Sequence, residues 1–236
     1  MSSTLWKAAD PETWRAAYAM YDDVCSILET KLKTLEKWFH TDLPPLVQAQ
    51  GYITQPQLSK LMEWKLSKGK WRPRLQSFVD ALPDKQVREL SKKAFDACKK
   101  KSYRDATATL SELKGVGPAT ASAVLAAFDP AVPFMGDEAL NALTSVIGAR
   151  QYTLPHFVRF LDTMQAKATS LNESVSQDDG TKWTAQKIQL CLWIEQVRDN
   201  PSPSRRPKPK AEKRHATDAT EPAAKKRTTR RSPHAK

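Results

Sequence analysis

The chain has 236 residues and a formal charge of +12, with seven Trp, seven Phe, five Tyr and only seven Gly. That is room for one sizeable helical domain, or two small ones sharing a core. Val and Ile are sparse and never alternate with polar residues over a strand's length, so a β-sheet is excluded and an all-α fold expected. Cys25, Cys98 and Cys191 are odd in number and far apart, which excludes a disulfide framework and fits a reducing compartment. No CxxC or His/Cys cluster offers a metal or iron–sulfur site, so neither a metal nor any other cofactor is expected. No signal-peptide core or run of ~20 apolar residues argues for a membrane.

In chain order, a long helix is expected from Asp10, an N-cap followed by Pro11 and Glu12. Trp14, Tyr18, Tyr21, Val24, Cys25, Leu28, Leu32, Leu35 and Trp38 form one apolar stripe on it, and the run should end before Pro44 and Pro45. Thr54 and Gln57 form a capping-box pattern that starts a second helix, closed by Gly69. Short helices follow over 74–82 and 103–113, with a longer one capped by Asp84 and running to about Lys101 between them. Further helices are expected over 118–128, over 138–146 and from Thr153 with Pro155. A polar linker spans 172–180, and a last helix spans 183–197.

From Pro201 the composition changes to Pro, Ser, Thr, Ala, Lys and Arg. Such a segment cannot bury enough apolar surface to offset its chain entropy, so disorder is expected. The division is a helical body over 1–198 and a basic tail over 199–236. Residues 201–236 carry +9 of the net charge and the body only +3, so the basic character says little about the folded part. Arg205, Arg206, Lys208, Lys210, Lys213 and Arg214 are followed, about ten residues on, by Lys225, Lys226, Arg227, Arg230 and Arg231. Two basic blocks so spaced read as a bipartite nuclear-localisation signal, with a nuclear import receptor as partner and the nucleus as location. The same charges would add salt-sensitive DNA affinity.

The most informative stretch is Leu113-Lys114-Gly115-Val116-Gly117-Pro118-Ala119-Thr120-Ala121. Two glycines between helix formers allow a tight turn with positive φ, Val116 can plug it from inside, and Pro118 suits the first turn of the next helix. The free amides of that turn, with the helix dipole, make a site for one phosphate, to which Lys114 and the Thr120 hydroxyl can add. The plain alternative is an ordinary helix–turn–helix corner.

This stretch resembles the helix-hairpin-helix of DNA-repair proteins, in particular the superfamily of helix-hairpin-helix DNA glycosylases, whose hairpin reads roughly L-x-G-V-G-x-x-T-A. In that superfamily a Val-Pro loop with a catalytic Asp follows about twenty residues later, and here Asp129-Pro130-Ala131-Val132-Pro133-Phe134-Met135-Gly136-Asp137-Glu138 stands at that distance. The likeness covers residues 113–140, with the hairpin at 105–128. It implies a glycosylase-like helical fold and duplex DNA as partner. It also implies backbone contacts from Lys114, Gly115, Val116, Gly117, Ala119 and Thr120. The bifunctional members carry a nucleophilic Lys where this chain has Ala119, so the resemblance implies at most a monofunctional enzyme without lyase activity. The family's Asp position is Met135; Asp137 is a displaced match and Glu138 its competitor. A carboxylate there would stabilise the positive charge left on a deoxyribose as its base departs, or activate a water. The plain alternative for Asp137 is helix N-capping. A non-catalytic DNA-binding or protein-interaction module of the same fold stays open.

Lys65, Lys68, Lys70, Arg72 and Arg74 lie within thirteen positions that also hold Trp64 and Trp71. The charges read as secondary phosphate contacts. The tryptophans read as core more than as base-stacking platforms.

Overall fold

In the computed structural model, residues 3–69, 71–174 and 182–200 are described. Among them every regular element is helical, and no helix is long and apolar enough to cross a membrane. The tail and Lys70 lie outside these residues, as does most of the expected polar linker.

The expected first helix is three. α1 (Thr4–Lys7) precedes α2 (Pro11–Ala19), α3 (Tyr21–Ser26) and α4 (Thr30–Lys37). Asp10 caps α2 as its sequence promised, accepting from the amides of Glu12 and Thr13. The chain then turns at Met20 (ψ 4°) and again at Glu29 (ψ 140°). Trp14, Val24, Leu28, Leu32 and Leu35 are all buried across these corners, so the stripe wraps round the core. Packing of α14 (Ala185–Asp199) against α2 and α3 overrides the straight periodic reading.

The run does not stop before Pro44 and Pro45. A π-turn (Trp38–Asp42), closed by Leu43 N–H bonding the Trp38 carbonyl, leads into α5 (Leu43–Gln50). A proline ring clashes with the carbonyl four residues back; the wider turn makes room, and both prolines sit in a first turn where a missing donor costs little.

The Thr54–Gln57 capping box is formed and opens α6 (Gln55–Lys68). α7 (Pro73–Asp80), α8 (Asp84–Lys99) and α9 (Tyr103–Leu110) follow. Pro83 is the N-cap of α8, while the Asp84 carboxylate ties α8 to α6 by accepting from Gln55 N at 2.8 Å. The central element is α10 (Pro118–Phe128), in which Ala119 through Ala127 are all buried. A helix apolar all round belongs inside, and α5, α6, α8, α9 and α13 (Leu154–Glu173) surround it. The helix expected over 138–146 is interrupted at Leu143, giving α11 (Asp137–Ala142) and α12 (Thr144–Ile147). Thr153 caps α13, and Thr184 caps α14, so the last helix starts two residues later than expected.

A buried polar knot ties α4 to α6. Glu36 is fully buried; its oxygens accept from Lys68 Nζ (2.9 Å) and Trp64 Nε1 (2.7 Å), and one lies 3.1 Å from His40 Nε2. Burial alone would raise the Glu36 carboxyl, but Lys68 and His40 overturn that and bring it down to about 2.

Candidate functional site

The hairpin joins α9 to α10 through residues 111–117. Leu113 and Val116 point inward, 1% and 4% exposed, and Val116 N–H bonds the Leu113 carbonyl at 3.0 Å. Only one of the two glycines has positive φ. Gly115 sits at φ 88°, whereas Gly117 is extended (φ −104°, ψ −179°) and serves as N-cap of α10. The Gly117 carbonyl accepts from Thr120 N and Ala121 N, both at 2.9 Å. The amides of Gly115, Gly117 and Ala119 bond to nothing among the described residues. They are free donors beside the positive end of an eleven-residue helix.

These residues form one wall of a cavity of about 550 Å³. The same cavity is lined by Lys65, Leu66, Lys68 and Gly69 at the end of α6, and by Arg72 and Leu75. Phe134, Met135, Asp137, Glu138 and Asn141 also line it, as do Arg150, Tyr152, Gln196 and Asn200.

The loop that brings the carboxylates there is pinned from three helices. Met135 N bonds Ser122 Oγ of α10 at 2.9 Å, and Phe134 N bonds Gln186 Oε1 of α14 at 2.8 Å. Gln165 of α13 holds the Ala131 carbonyl at 2.9 Å. Asp129 closes an Asx turn onto Ala131 N. Asp137 then stands at the first position of α11. Its side chain does not cap that helix; Gly136 is the N-cap. Tyr152 Oη donates to Asp137 Oδ1, and Arg150 lies 3.2 Å from Oδ2. Burial first, then the bond to Asp137, pushes the Tyr152 phenol up to about 12. Glu138 also lines the cavity and is buried.

The basic residues named from the sequence divide. Lys114, Arg72 and Arg74 are exposed; Lys114 Nζ is 4.5 Å and Arg74 5.6 Å from the centre of the Phe78 ring, on the helix that abuts Gly115. Lys65 is half-buried in the cavity wall. Lys68 borders the same wall, but its ammonium is spent on Glu36 and lies 3.8 Å from the Trp193 ring centre. Thr120, 3% exposed, faces the cavity wall and not an outer surface. Trp64 is core, stacked on Phe39 at 3.6 Å, as its sequence reading had it; Trp71 is not, being 49% exposed between Gly69 and Arg72. The tail's basic residues and Lys70 are outside the described residues.

Sequence reasoning missed Arg150 and Tyr152. They sit between α12 and α13 with no motif around them, and only the fold brings them to Asp137. No family model matches the chain, and no curated protein or solved structure matches it.

Proposed function

We propose that the chain is a DNA-binding protein with a helix-hairpin-helix DNA-glycosylase-like fold, and that its cavity removes a damaged base from duplex DNA through Asp137. One observation carries the reading: the unbonded amides of the hairpin and the carboxylates of Asp137 and Glu138 line the same cavity. The amides would hold a backbone phosphate, with Lys114, Arg72 and Arg74 around it. A nucleotide turned out of the stack would enter between Leu66, Phe134 and Met135, and Asp137 would stabilise the cationic sugar as the base leaves. Glu138 is the alternative carboxylate. The test is to incubate the protein with duplexes carrying uracil, alkylated or oxidised bases and then treat with alkali. Strand breaks that vanish in Asp137→Asn support the enzyme; no base release from any of them removes it.

A second reading has its own support. Both Asp137 oxygens are engaged, by Tyr152 and Arg150, as in a structural carboxylate. A non-catalytic DNA-binding or protein-interaction module would then bind duplex without base release. In either case the tail is proposed to engage a nuclear import receptor and direct the chain to the nucleus. Deleting residues 201–236 should abolish nuclear accumulation yet leave duplex binding measurable at low salt. Loss of all binding with the tail would remove the hairpin from the account.

A further inference from the structure

We infer, resting on the hairpin reading above, that Ser202 and Ser204 are modification sites of an autoinhibitory switch. A phosphoryl group on either serine occupies the unbonded hairpin amides in cis and displaces DNA from them. The switch joins two parts of the chain that are separate in sequence, the glycine hairpin and the start of the basic tail.

Asn200, where the described residues end, lines the same cavity as Gly115, Gly117 and Ala119. The tail therefore starts beside the phosphate site. Ser202 and Ser204 follow at once, and Ser202-Pro203 has the order that proline-directed kinases accept. Four residues of extended chain span at most ~14 Å, whereas a round cavity of about 550 Å³ is ~10 Å across, so the reach suffices.

The chemistry of the site suits a phosphate monoester. The N–H groups of Gly115, Gly117 and Ala119 bond to nothing among the described residues and stand at the positive end of α10. Lys65, Arg72 and Arg150 line the cavity against Asp137 and Glu138, and the exposed Lys114 adjoins Gly115. Arg150 lies 3.2 Å from Asp137 Oδ2, which blunts that carboxylate's repulsion of a second anion. An unmodified serine hydroxyl is neutral and competes poorly. Phosphorylation adds a charge of about −1.5 to −2 and three strong acceptor oxygens, so the modified chain alone closes the site. The arginines that follow, Arg205 and Arg206, do not serve instead, because free amides need an acceptor and a guanidinium has none. A tether this short holds the phosphate at an effective concentration in the mM range, so even a sub-millimolar hold by the hairpin gives about a tenfold loss of duplex affinity.

The test uses the full chain with phosphoserine genetically encoded at Ser202, at Ser204 or, as a remote control of equal charge, at Ser232. The amide resonances of Gly115 and Gly117 are recorded without DNA, and duplex affinity is followed by fluorescence anisotropy at fixed salt. With phosphoserine at Ser202 or Ser204, both glycine amides should move downfield and affinity should fall about tenfold, and phosphatase should reverse both. The Ser232 form should leave the glycines in place and lose less than ~2-fold. Glycine resonances that stay put in both proximal forms would mean that the phosphate sits elsewhere, on Arg205 for instance, and overturn the inference. Unchanged affinity, or an equal loss from Ser232, which is plain charge repulsion, overturns it as well. The unmodified chain and Gly117→Val, titrated alongside, test the hairpin reading by itself. If those two bind duplex alike, DNA does not sit on the hairpin, while the DNA-free glycine resonances still decide whether the phosphoserine does.

Discussion

One turn apart on α6, Lys65 and Lys68 keep different company. Lys68 borders the cavity but spends its ammonium on a knot with Glu36, Trp64, His40 and the face of Trp193. Lys65 lines a cavity shared with Gly115 and Gly117, whose amides are unbonded. Buried polar groups that hold a fold are closed on themselves; those that serve a ligand are left open. The contrast separates scaffold from site within a single helix, and it makes opposite predictions for mutations on the two sides.

The largest effect belongs to the knot. Glu36→Ala strands the Lys68 ammonium in the core, and unfolding free energy in urea should fall by about 3–5 kcal/mol. Replacing the pair together, Glu36→Leu with Lys68→Met, should recover more than half of that loss, because the cost lies in the uncompensated charge. Acid should act through the same group. The Glu36 carboxyl is held near 2 in the fold, below its ordinary 4.5, so its contribution is complete above about pH 4.5 and is lost as pH falls through about 2. The double variant should lack that part of the acid sensitivity. A Glu36→Ala protein as stable as the parent would erase the distinction between the two lysines.

The glycines of the hairpin come next, and they too should part. Gly115→Ala adds a Cβ that would meet the Phe78 Cβ at 2.9 Å, at a φ of 88° that side chains rarely adopt. A stability loss of about 1–3 kcal/mol is expected, read from thermal or urea unfolding. A Cβ at Gly117 meets nothing within 4 Å, and the backbone there is ordinary extended chain. Gly117→Val should cost no more than the cap preference of about 1 kcal/mol, while duplex binding, followed by fluorescence anisotropy at fixed salt, weakens about tenfold as the branched side chain crowds the phosphate. If Gly117→Val binds like the parent, the open amides are not where DNA sits.

What the sequence made legible was what neighbours decide. Asp10, Thr54 with Gln57, and Thr153 announced helix starts through side chain–amide bonds two or three residues long. The hairpin was legible for the same reason, since Gly115 and Pro118 punctuate locally. The corners at Met20 and Glu29 were not, because the apolar spacing runs on through them and the bends come with distant packing, α2 and α3 on α14 and α4 on α6. Nor was the fate of Lys68 readable within a basic cluster: its partner lies 32 residues upstream. Trp71 reads as core from its sequence but lies exposed, since Gly69 ends α6 just before it and leaves the ring outside. The Arg150–Tyr152 clamp on Asp137 depends on where α12 and α13 leave their connecting loop.

That clamp gives the smallest effect and the finest test of the open side. Tyr152 and Asp137 are both partly exposed, so Tyr152→Phe should change stability by less than about 1 kcal/mol. The informative readout is the phenol itself. Burial and the bond to Asp137 push its ionisation up to about 12, from an ordinary 10, so the phenolate absorbance that disappears in Tyr152→Phe should develop only near pH 12. Burial persists in Asp137→Asn but the carboxylate's contribution does not, so the same step should move to lower pH there while staying above 10. A step already near 10 in the unmodified protein would mean that Tyr152 does not hold Asp137. The carboxylate would then be tethered by Arg150 alone, and the reading of Asp137 as a structural anchor would lose half of its support.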